Sequence, residues 1–408
     1  MIADDITGAA EIAGIAFSHG QQARLVCATD SVDASSVCCD TSSVCCDCIA
    51  TTTVIATDTR SMSEAEAIAE TRRIGTALSP LAPSPRERAG VRSHLFKKTD
   101  SALRGHVVAE LEALMQATGY QRCVYLPANP SKGRIIRGGV YYIREASGEG
   151  QAVSGKGQAV SGKRQAVSGE GQEVREVPIH ETSFSYDPEF PAKTSVLKER
   201  FPDAEAKGII MPDAESLEDI RRVVAAYDDG QTLFAGAADL FSAISPISPI
   251  SPISPNSPIS PNSPIGSIGS TLILCGSTQS KPLDLGIPIA PMPLAVYDGS
   301  NDISLWDTTV YDTTHSLILT MPFTHRTGKE AAVHLRTVMA RKVKALVETH
   351  QPEHLIIEGG ATAWATLLML GWTQFDLVRQ MAPGVVQMRA SNGTLITLKP
   401  GSYPWAGL

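Results

Sequence analysis

Short apolar runs alternate with amphipathic stretches along most of this chain. The runs have the length of buried strands and lie at 24–28, 53–56, 122–127, 208–211, 271–275, 317–320 and 354–358. Between them, apolar residues recur at helical spacing, most clearly within 107–115 and 335–346. The pattern predicts an α/β fold with mostly parallel sheets flanked by helices.

Four segments interrupt this alternation. Short repeats or clustered prolines occur near 31–48, 80–92 and 145–176, and Ser-Pro-Ile repeats fill 244–269. Prolines at every third position favour extended, solvated backbone, so we interpret the last segment as a linker and the others as inserts in surface loops. Since 408 residues exceed the usual size of a single core, we predict two domains, 1–243 and 270–408.

Composition and charge exclude several classes of protein. A net charge of -8 argues against a general surface for nucleic acids or anionic membranes. No apolar run approaches the roughly 18 residues of a membrane span, and acidic residues stand where a signal peptide carries Lys or Arg. We therefore expect a cytoplasmic protein with no nucleic-acid or membrane partner, and leave homo-oligomerisation open.

Cysteines are concentrated in one short stretch, with five of the eight between 38 and 48. Four of these five form adjacent pairs within a duplicated segment, which does not match the C-x2-4-C spacing of structural zinc sites. We assign no residue as a metal ligand from spacing.

Polar residues follow several apolar runs in the N-terminal half. Asp4 and Asp5 come after a run that is short for a complete strand, and Thr7 is predicted as the N-cap of the next helix. The segment 97–105, Lys-Lys-Thr-Asp-Ser-Ala-Leu-Arg-Gly, combines two lysines with Asp100 and Arg104. Arg binds carboxylates in a bidentate manner and Asp accepts hydroxyl protons, so this mixture suits an anionic, hydroxylated ligand.

Glycine turns follow apolar runs in the C-terminal half. Gly276-Ser277 comes after one run, and Glu-Gly-Gly-Ala-Thr at 358–362 after another; Gly384 and Gly401 lie in two further turns. Glycine lets backbone N–H groups approach a phosphate closely, and a helix N-terminus favours anions. Each turn alone is more often an ordinary strand–helix connection.

Taken together and in this order, the motifs resemble the four-carbon acid sugar kinase family, formerly a domain of unknown function. The resemblance runs from IADDITGA through TDTRS, KKTDSALRG, PANPSKGR and EGGATA to LKPG. It implies an N-terminal acid-sugar-binding domain, a C-terminal nucleotide-binding domain and an active site in the cleft between them. It also implies ATP with Mg²⁺ as cofactors, and transfer of the γ-phosphate to the 4-hydroxyl of threonate, erythronate or 3-oxo-tetronate.

The resemblance also assigns roles to individual residues. It implies that the sugar acid is bound by Asp4, Arg60, Lys98, Arg104 and Arg134, and that ATP is bound by Ser277, Gly359, Gly360, Ala361, Thr362, Gly384 and Gly401. We predict Asp5 and Asp100 as the catalytic pair and leave open which of them accepts the proton. The alternative is a degenerate protein that binds a sugar acid without catalysis.

Overall fold

The computed structural model describes residues 1–29, 51–79, 95–146, 174–187, 189–245, 269–276, 285–322, 328–401 and 405. The predicted inserts near 31–48 and 80–92, most of the segments at 145–176 and 244–269, and Ser277 lie outside the described residues.

The described elements follow the predicted alternation of strands and helices. The strands are β1 Ile2–Ala3, β2 Gln22–Cys27, β3 Thr51–Ala56, β4 Phe96–Lys98, β5 Arg122–Leu126, β6 Arg134–Arg137, β7 Val140–Ala146, β8 Val174–Pro178, β9 Ile209–Ile210, β10 Thr232–Gly236, β11 Thr271–Cys275, β12 Ile289–Pro291, β13 Ser316–Thr320, β14 His354–Glu358, β15 Gln374–Ala382, β16 Val385–Ala390 and β17 Leu395–Lys399. The helices are α1 Ile6–Ser18, α2 Glu64–Leu78, α3 Val107–Thr118, α4 Leu197–Arg200, α5 Leu217–Tyr227, α6 Ala238–Ile244, α7 Leu294–Tyr297, α8 Tyr311–Thr314, α9 Lys329–His350 and α10 Gly360–Met369.

One compact unit comprises Met1–Asp58 and Pro246–Leu408. Its strands lie in the order β12-β13-β11-β14-β17-β16-β15-β2-β3-β1. The first five are parallel to one another and so are the last three, while β15 and β16 join the two sets through antiparallel pairing. Helix α1 packs against β2 and β3 and against the β15–β16 hairpin, and α10 packs against β14 and β17.

The other compact unit comprises Thr59–Ser245. Strands β4, β10, β5 and β9 form a parallel sheet in that order. Strands β6, β7 and β8 form a separate antiparallel sheet. Helices α2 and α3 pack against each other, and α3 also contacts β5.

Local sequence explains where several helices begin. Ser63 and Glu66 form a capping box at α2, and Ser216 and Asp219 form another at α5. The predicted N-cap at Thr7 is wrong, because α1 begins at Ile6 and its N-cap is Asp5. A carboxylate caps a helix as well as a hydroxyl does and also complements the helix dipole.

The predicted fold class is confirmed, with mostly parallel strands flanked by helices. All seven predicted strands are present, and β11 and β14 have the predicted bounds. The antiparallel strands β6–β8, β15 and β16 were missed, because strands such as β15 place polar residues between apolar ones and form no continuous apolar run.

The packing groups the chain differently from the predicted division at 244–269. Residues 1–58 belong with the C-terminal half because β2 pairs with β15, through Gln374↔Val26, Phe375↔Leu25 and Asp376↔Arg24.

No helix in the described part of the chain is long and apolar enough to cross a membrane.

Candidate functional site

The acidic turn after β1 holds the start of α1. Asp5 accepts hydrogen bonds from the Gly8 N–H at 2.8 Å through Oδ1 and from Thr7 Oγ1 at 2.6 Å through Oδ2. Asp4 beside it is buried, with 3% of its surface exposed. Asp5 is partly exposed, and a carboxylate oxygen has more than one acceptor site, so its carboxylate can bind a further group while it caps the helix.

The glycine turn after β14 leaves a helix N-terminus open. Gly359 has φ +96, a conformation that favours glycine, and α10 starts at Gly360 with Ala361 exposed. The first N–H groups of a helix have no partner within the helix, so this end of α10 can bind an anion.

The acidic turn and the glycine turn contact each other within the same compact unit. A Cβ atom built at Gly360 would lie 3.0 Å from Thr7 Cγ2, 3.5 Å from Thr7 Oγ1 and 3.8 Å from Asp5 Oδ2. The absence of a side chain at Gly360 therefore permits this approach. Asp5, predicted as catalytic, thus lies beside Gly360, predicted to bind ATP.

Backbone hydrogen bonds tie together the ends of the three strands around the glycine turn. The Gly276 N–H donates to the Glu358 carbonyl at 3.1 Å, and the Gly359 N–H donates to the Lys399 carbonyl at 2.9 Å. A Cβ at Gly276 would come within 2.2 Å of Thr362 Oγ1. Thr362 is accordingly buried against Gly276, with 6% exposed, so its contact here is with the neighbouring turn.

A buried ion pair lies beneath this turn. Lys399 Nζ donates to Glu358 Oε1 at 2.6 Å, and both side chains are almost fully buried. Lys399 Nζ also donates to the Pro400 carbonyl and lies 4.7 Å from the centre of the Trp405 ring. Burial, with the nearby charge of Glu358, raises the pKa of the Cys275 thiol to about 12, so this cysteine stays protonated at neutral pH.

The other two glycines predicted to bind the nucleotide, Gly384 and Gly401, lie in other turns. Gly384 lies in the tight turn between the antiparallel strands β15 and β16 with φ +80, a conformation that such a turn needs whatever the protein binds. Gly401 follows directly after Pro400 at the end of β17.

The cationic turn of the other compact unit is organised around Asp100. This carboxylate accepts from Arg104 Nε and Nη2 at 2.9 Å each and from the Ala102 N–H at 2.9 Å. Burial would raise the pKa of Asp100, but the charges of Arg60 and Arg104 and the hydrogen bonds from Arg104 outweigh it. They hold this pKa well below its usual range. Asp100 therefore stays ionised.

The remaining predicted cations are distributed around this turn. Arg60 Nη1 lies 3.8 Å from Asp100 Oδ1, and the buried Lys98 Nζ donates to the Thr99 carbonyl at 2.9 Å. Arg134 contacts the Ser101 hydroxyl and lies over the Phe184 ring, 5.6 Å from its centre. Four of the five residues assigned to the sugar acid are thus in this unit, while Asp4 is in the other.

Several residues of this turn were missed by the sequence analysis. Arg104 Nη1 lies 3.7 Å from Asp187 Oδ2, and Arg200 Nη2 donates to the Leu103 carbonyl at 2.9 Å. Leu103 itself has φ +64, a strained conformation for this residue type and one that clusters at functional sites. Asp187 and Arg200 belong to no motif in the sequence, so only their placement in the fold identifies them.

Two family models match most of the chain. A sugar-binding N-terminal domain matches residues 1–203 and a nucleotide-binding C-terminal domain matches residues 307–403. The chain belongs to the four-carbon acid sugar kinase family. The pair of domains indicates a protein that uses a nucleotide and binds a sugar acid.

Solved structures share the fold of this family member. A Haemophilus influenzae protein of the family DUF1537 is 18% identical, with coverage of 98% of this chain and 95% of the other and a TM-score of 0.60. A Salmonella typhimurium protein with a provisional tRNA synthase name is 17% identical, with the same coverages and a TM-score of 0.62. No curated protein matches the chain.

Replacing Lys399 by Met should destabilise the protein by about 3–5 kcal/mol, because the buried Glu358 would lose the cation that pairs with it. The double variant Lys399→Met/Glu358→Leu should recover much of this loss. Lys198→Met is the matched control, because Lys198 pairs with Glu205 at the surface, where the two side chains are 80% and 85% exposed. The loss of stability there should stay below about 1 kcal/mol. Urea unfolding measures all three, and equal losses at the two lysines would contradict the buried-pair interpretation.

Proposed function

We propose that this protein is an ATP-dependent kinase that phosphorylates the 4-hydroxyl of a four-carbon sugar acid such as threonate, erythronate or 3-oxo-tetronate. One observation carries the proposal: Asp5 and Thr7 of the acidic turn lie directly against Gly360 of the glycine turn. A kinase must bring a proton-accepting group and a phosphate-binding group close to the same acceptor oxygen. These two turns meet that requirement within one compact unit.

The nucleotide side of the proposal rests on the glycine turn. The N–H groups at the start of α10 would bind phosphate oxygens, and the missing side chains at Gly359 and Gly360 let a phosphate approach the backbone. The ion pair Lys399–Glu358 and the hydrogen bond from Gly359 to Lys399 hold the turn in place.

Magnesium is expected with ATP, and the residues present fit it. Mg²⁺ on a triphosphate uses one or two protein carboxylates, with phosphates and waters as its other ligands. Among the described residues no group of three or more His, Cys, Asp or Glu side chains is placed to hold a metal ion. The acidic turn next to Gly360 supplies two carboxylates, Asp4 and Asp5, so one could hold the ion while the other accepts the hydroxyl proton. When bound, Mg²⁺ neutralises charge on the transferring phosphate.

The sugar-acid side rests on the cationic turn around Asp100. Arg60, Lys98, Arg104 and Arg134 outnumber Asp100 and Asp187, so the turn carries excess positive charge for a carboxylate ligand. Arg104 is held by two hydrogen bonds to Asp100 and is still 33% exposed in its side chain. A fixed guanidinium binds a carboxylate with less loss of side-chain entropy than a mobile one.

Between the two predicted catalytic acids, we infer that Asp5 accepts the hydroxyl proton. Asp100 is ionised, but the cations that lower its pKa also lower its basicity. Its hydrogen bonds to Arg104 and Ala102 further stabilise the ionised form. Asp5 lies next to the glycine turn, where the phosphate would be. Asp100 then serves to hold Arg104 for the substrate.

A degenerate protein that binds the sugar acid without phosphorylating it is the alternative. It predicts sugar-acid binding without release of ADP. The inserts between the family motifs motivate it, whereas the ordered contact between the two turns favours the kinase.

Turnover should require the carboxylate of the substrate. We expect ADP release with a tetronate and at least about 30-fold lower kcat/KM with the matching tetritol, which lacks the charge. Arg104→Ala should cost a similar ~2–5 kcal/mol in transition-state binding for the tetronate and much less for the tetritol.

Arg144→Ala is the matched control, since the Arg144 side chain is also 33% exposed and paired with a carboxylate, Glu176, in the same unit. Its kinetics should stay close to wild type. Equal turnover of tetronate and tetritol would rule out the carboxylate anchor.

Asparagine variants should separate the roles of the two acids. Asp5→Asn keeps a good N-cap, so the fold should keep its stability while kcat falls by roughly 10²–10⁴. Asp100→Asn should mainly raise KM, because it loosens Arg104. Steady-state kinetics at saturating Mg·ATP measures both, with urea unfolding as the control for stability. A near-normal kcat in Asp5→Asn would overturn its assignment as the proton acceptor.

A further inference from the structure

A buried glutamate of α3 connects the two cation-bearing segments of the 59–245 unit. Glu110 Oε2 accepts from Lys97 Nζ at 2.5 Å, from Thr59 Oγ1 at 2.8 Å and from Thr71 Oγ1 at 3.3 Å. All four residues are at most 2% exposed. Glu110 shares the buried face of its helix with Val107, Leu111 and Leu114, an unusual place for a carboxylate.

Two of the three partners of Glu110 directly precede predicted substrate-binding residues. Thr59 opens the 3-10 turn Thr59–Ser61 that carries Arg60, and Lys97 lies next to Lys98 in β4. Successive side chains of a strand point to opposite faces, so an anchored Lys97 fixes the face on which Lys98 emerges. The short distance from Arg60 Nη1 to Asp100 Oδ1, 3.8 Å, depends on both segments keeping their positions.

Stability alone is a weak reason for this cluster. An apolar set of the same volume often stabilises a core as well as a buried ion pair does, because desolvation of the charges offsets their attraction. Hydrogen bonds are directional, whereas apolar contacts are not. A carboxylate that accepts several hydrogen bonds therefore fixes the orientation of each donor, which an apolar side chain cannot do.

We propose that Glu110 is a positioning residue that holds the Arg60 turn and the Lys98 strand in register for the carboxylate of the substrate. The identity of that substrate rests on the proposed function. Glu110 acts through Thr59 and Lys97, which lie one residue before Arg60 and Lys98.

The decisive variant is Lys97→Met/Glu110→Leu, which removes the charges together and avoids an unpaired ion in the core. The melting temperature should stay near that of wild type. KM for the tetronate should rise by about tenfold or more while kcat changes by less than about threefold, because binding is disturbed and the Asp5 turn is not. Glu110→Gln, which keeps the shape and one acceptor oxygen, should give an intermediate KM and serves if the double variant does not fold.

Lys207→Met/Glu112→Leu is the matched control. Glu112 lies on the same helix and its Oε2 is 2.8 Å from Lys207 Nζ, but this pair is 36% and 31% exposed. It should change neither KM nor kcat.

Amide hydrogen exchange provides a readout that does not depend on catalysis. In Lys97→Met/Glu110→Leu, amides of 59–62 and 96–100 should exchange faster, while those of β6 and β7 stay unchanged. A general loss of stability would accelerate all of them. If wild type turns over no sugar acid, the proposed function fails while the exchange pattern still decides on Glu110. Unchanged exchange in both segments, or an unchanged KM in a folded variant, overturns the positioning role.

Discussion

The close approach of two turns, Asp4–Thr7 and Gly359–Gly360, is the contact on which the functional account depends. It exists because Gly360 has no side chain: a Cβ there would lie 3.0 Å from Thr7 Cγ2. The approach places a capping carboxylate, Asp5, beside the open N-terminus of α10. Because the first N–H groups of α10 attract anions and Asp5 can bind a cation or a hydroxyl, the pair suits a metal-bound phosphate next to an alcohol.

In the 59–245 unit, buried acids hold several cationic side chains in fixed positions. Asp100 neutralises part of the charge and orients Arg104 through two hydrogen bonds of 2.9 Å. Glu110 neutralises Lys97 and holds Thr59 through hydrogen bonds, and so acts indirectly on the neighbouring Lys98 and Arg60. Mutual repulsion among the cations is thereby offset by buried acids, and a net positive charge remains for an anionic ligand. The strained backbone at Leu103 is held by the hydrogen bond from Arg200.

Local sequence patterns predicted the parts of this structure that depend on local physics. Apolar runs predicted strands such as β11 and β14 with their observed bounds. They did not predict the contact between the two turns. That contact depends on how β15 and β16 join the two parallel sets of strands through antiparallel pairing, and local patterns carry no information on such pairing. They also did not predict Glu110 as an anchor, although an acid at helical spacing from Val107 and Leu114 was a visible signal. Arg200 and Asp187 carried no signal, since only tertiary packing brings them to the cationic turn.

The most direct test of the central claim is phosphorus NMR of the protein with Mg·ATP and a four-carbon sugar acid. The account predicts ADP together with an equal amount of a new phosphomonoester whose phosphorus couples to the two protons on C4, and no such signal with Asp5→Asn in the same time. Sugar-acid binding without any phosphomonoester, or release of inorganic phosphate alone, would contradict it.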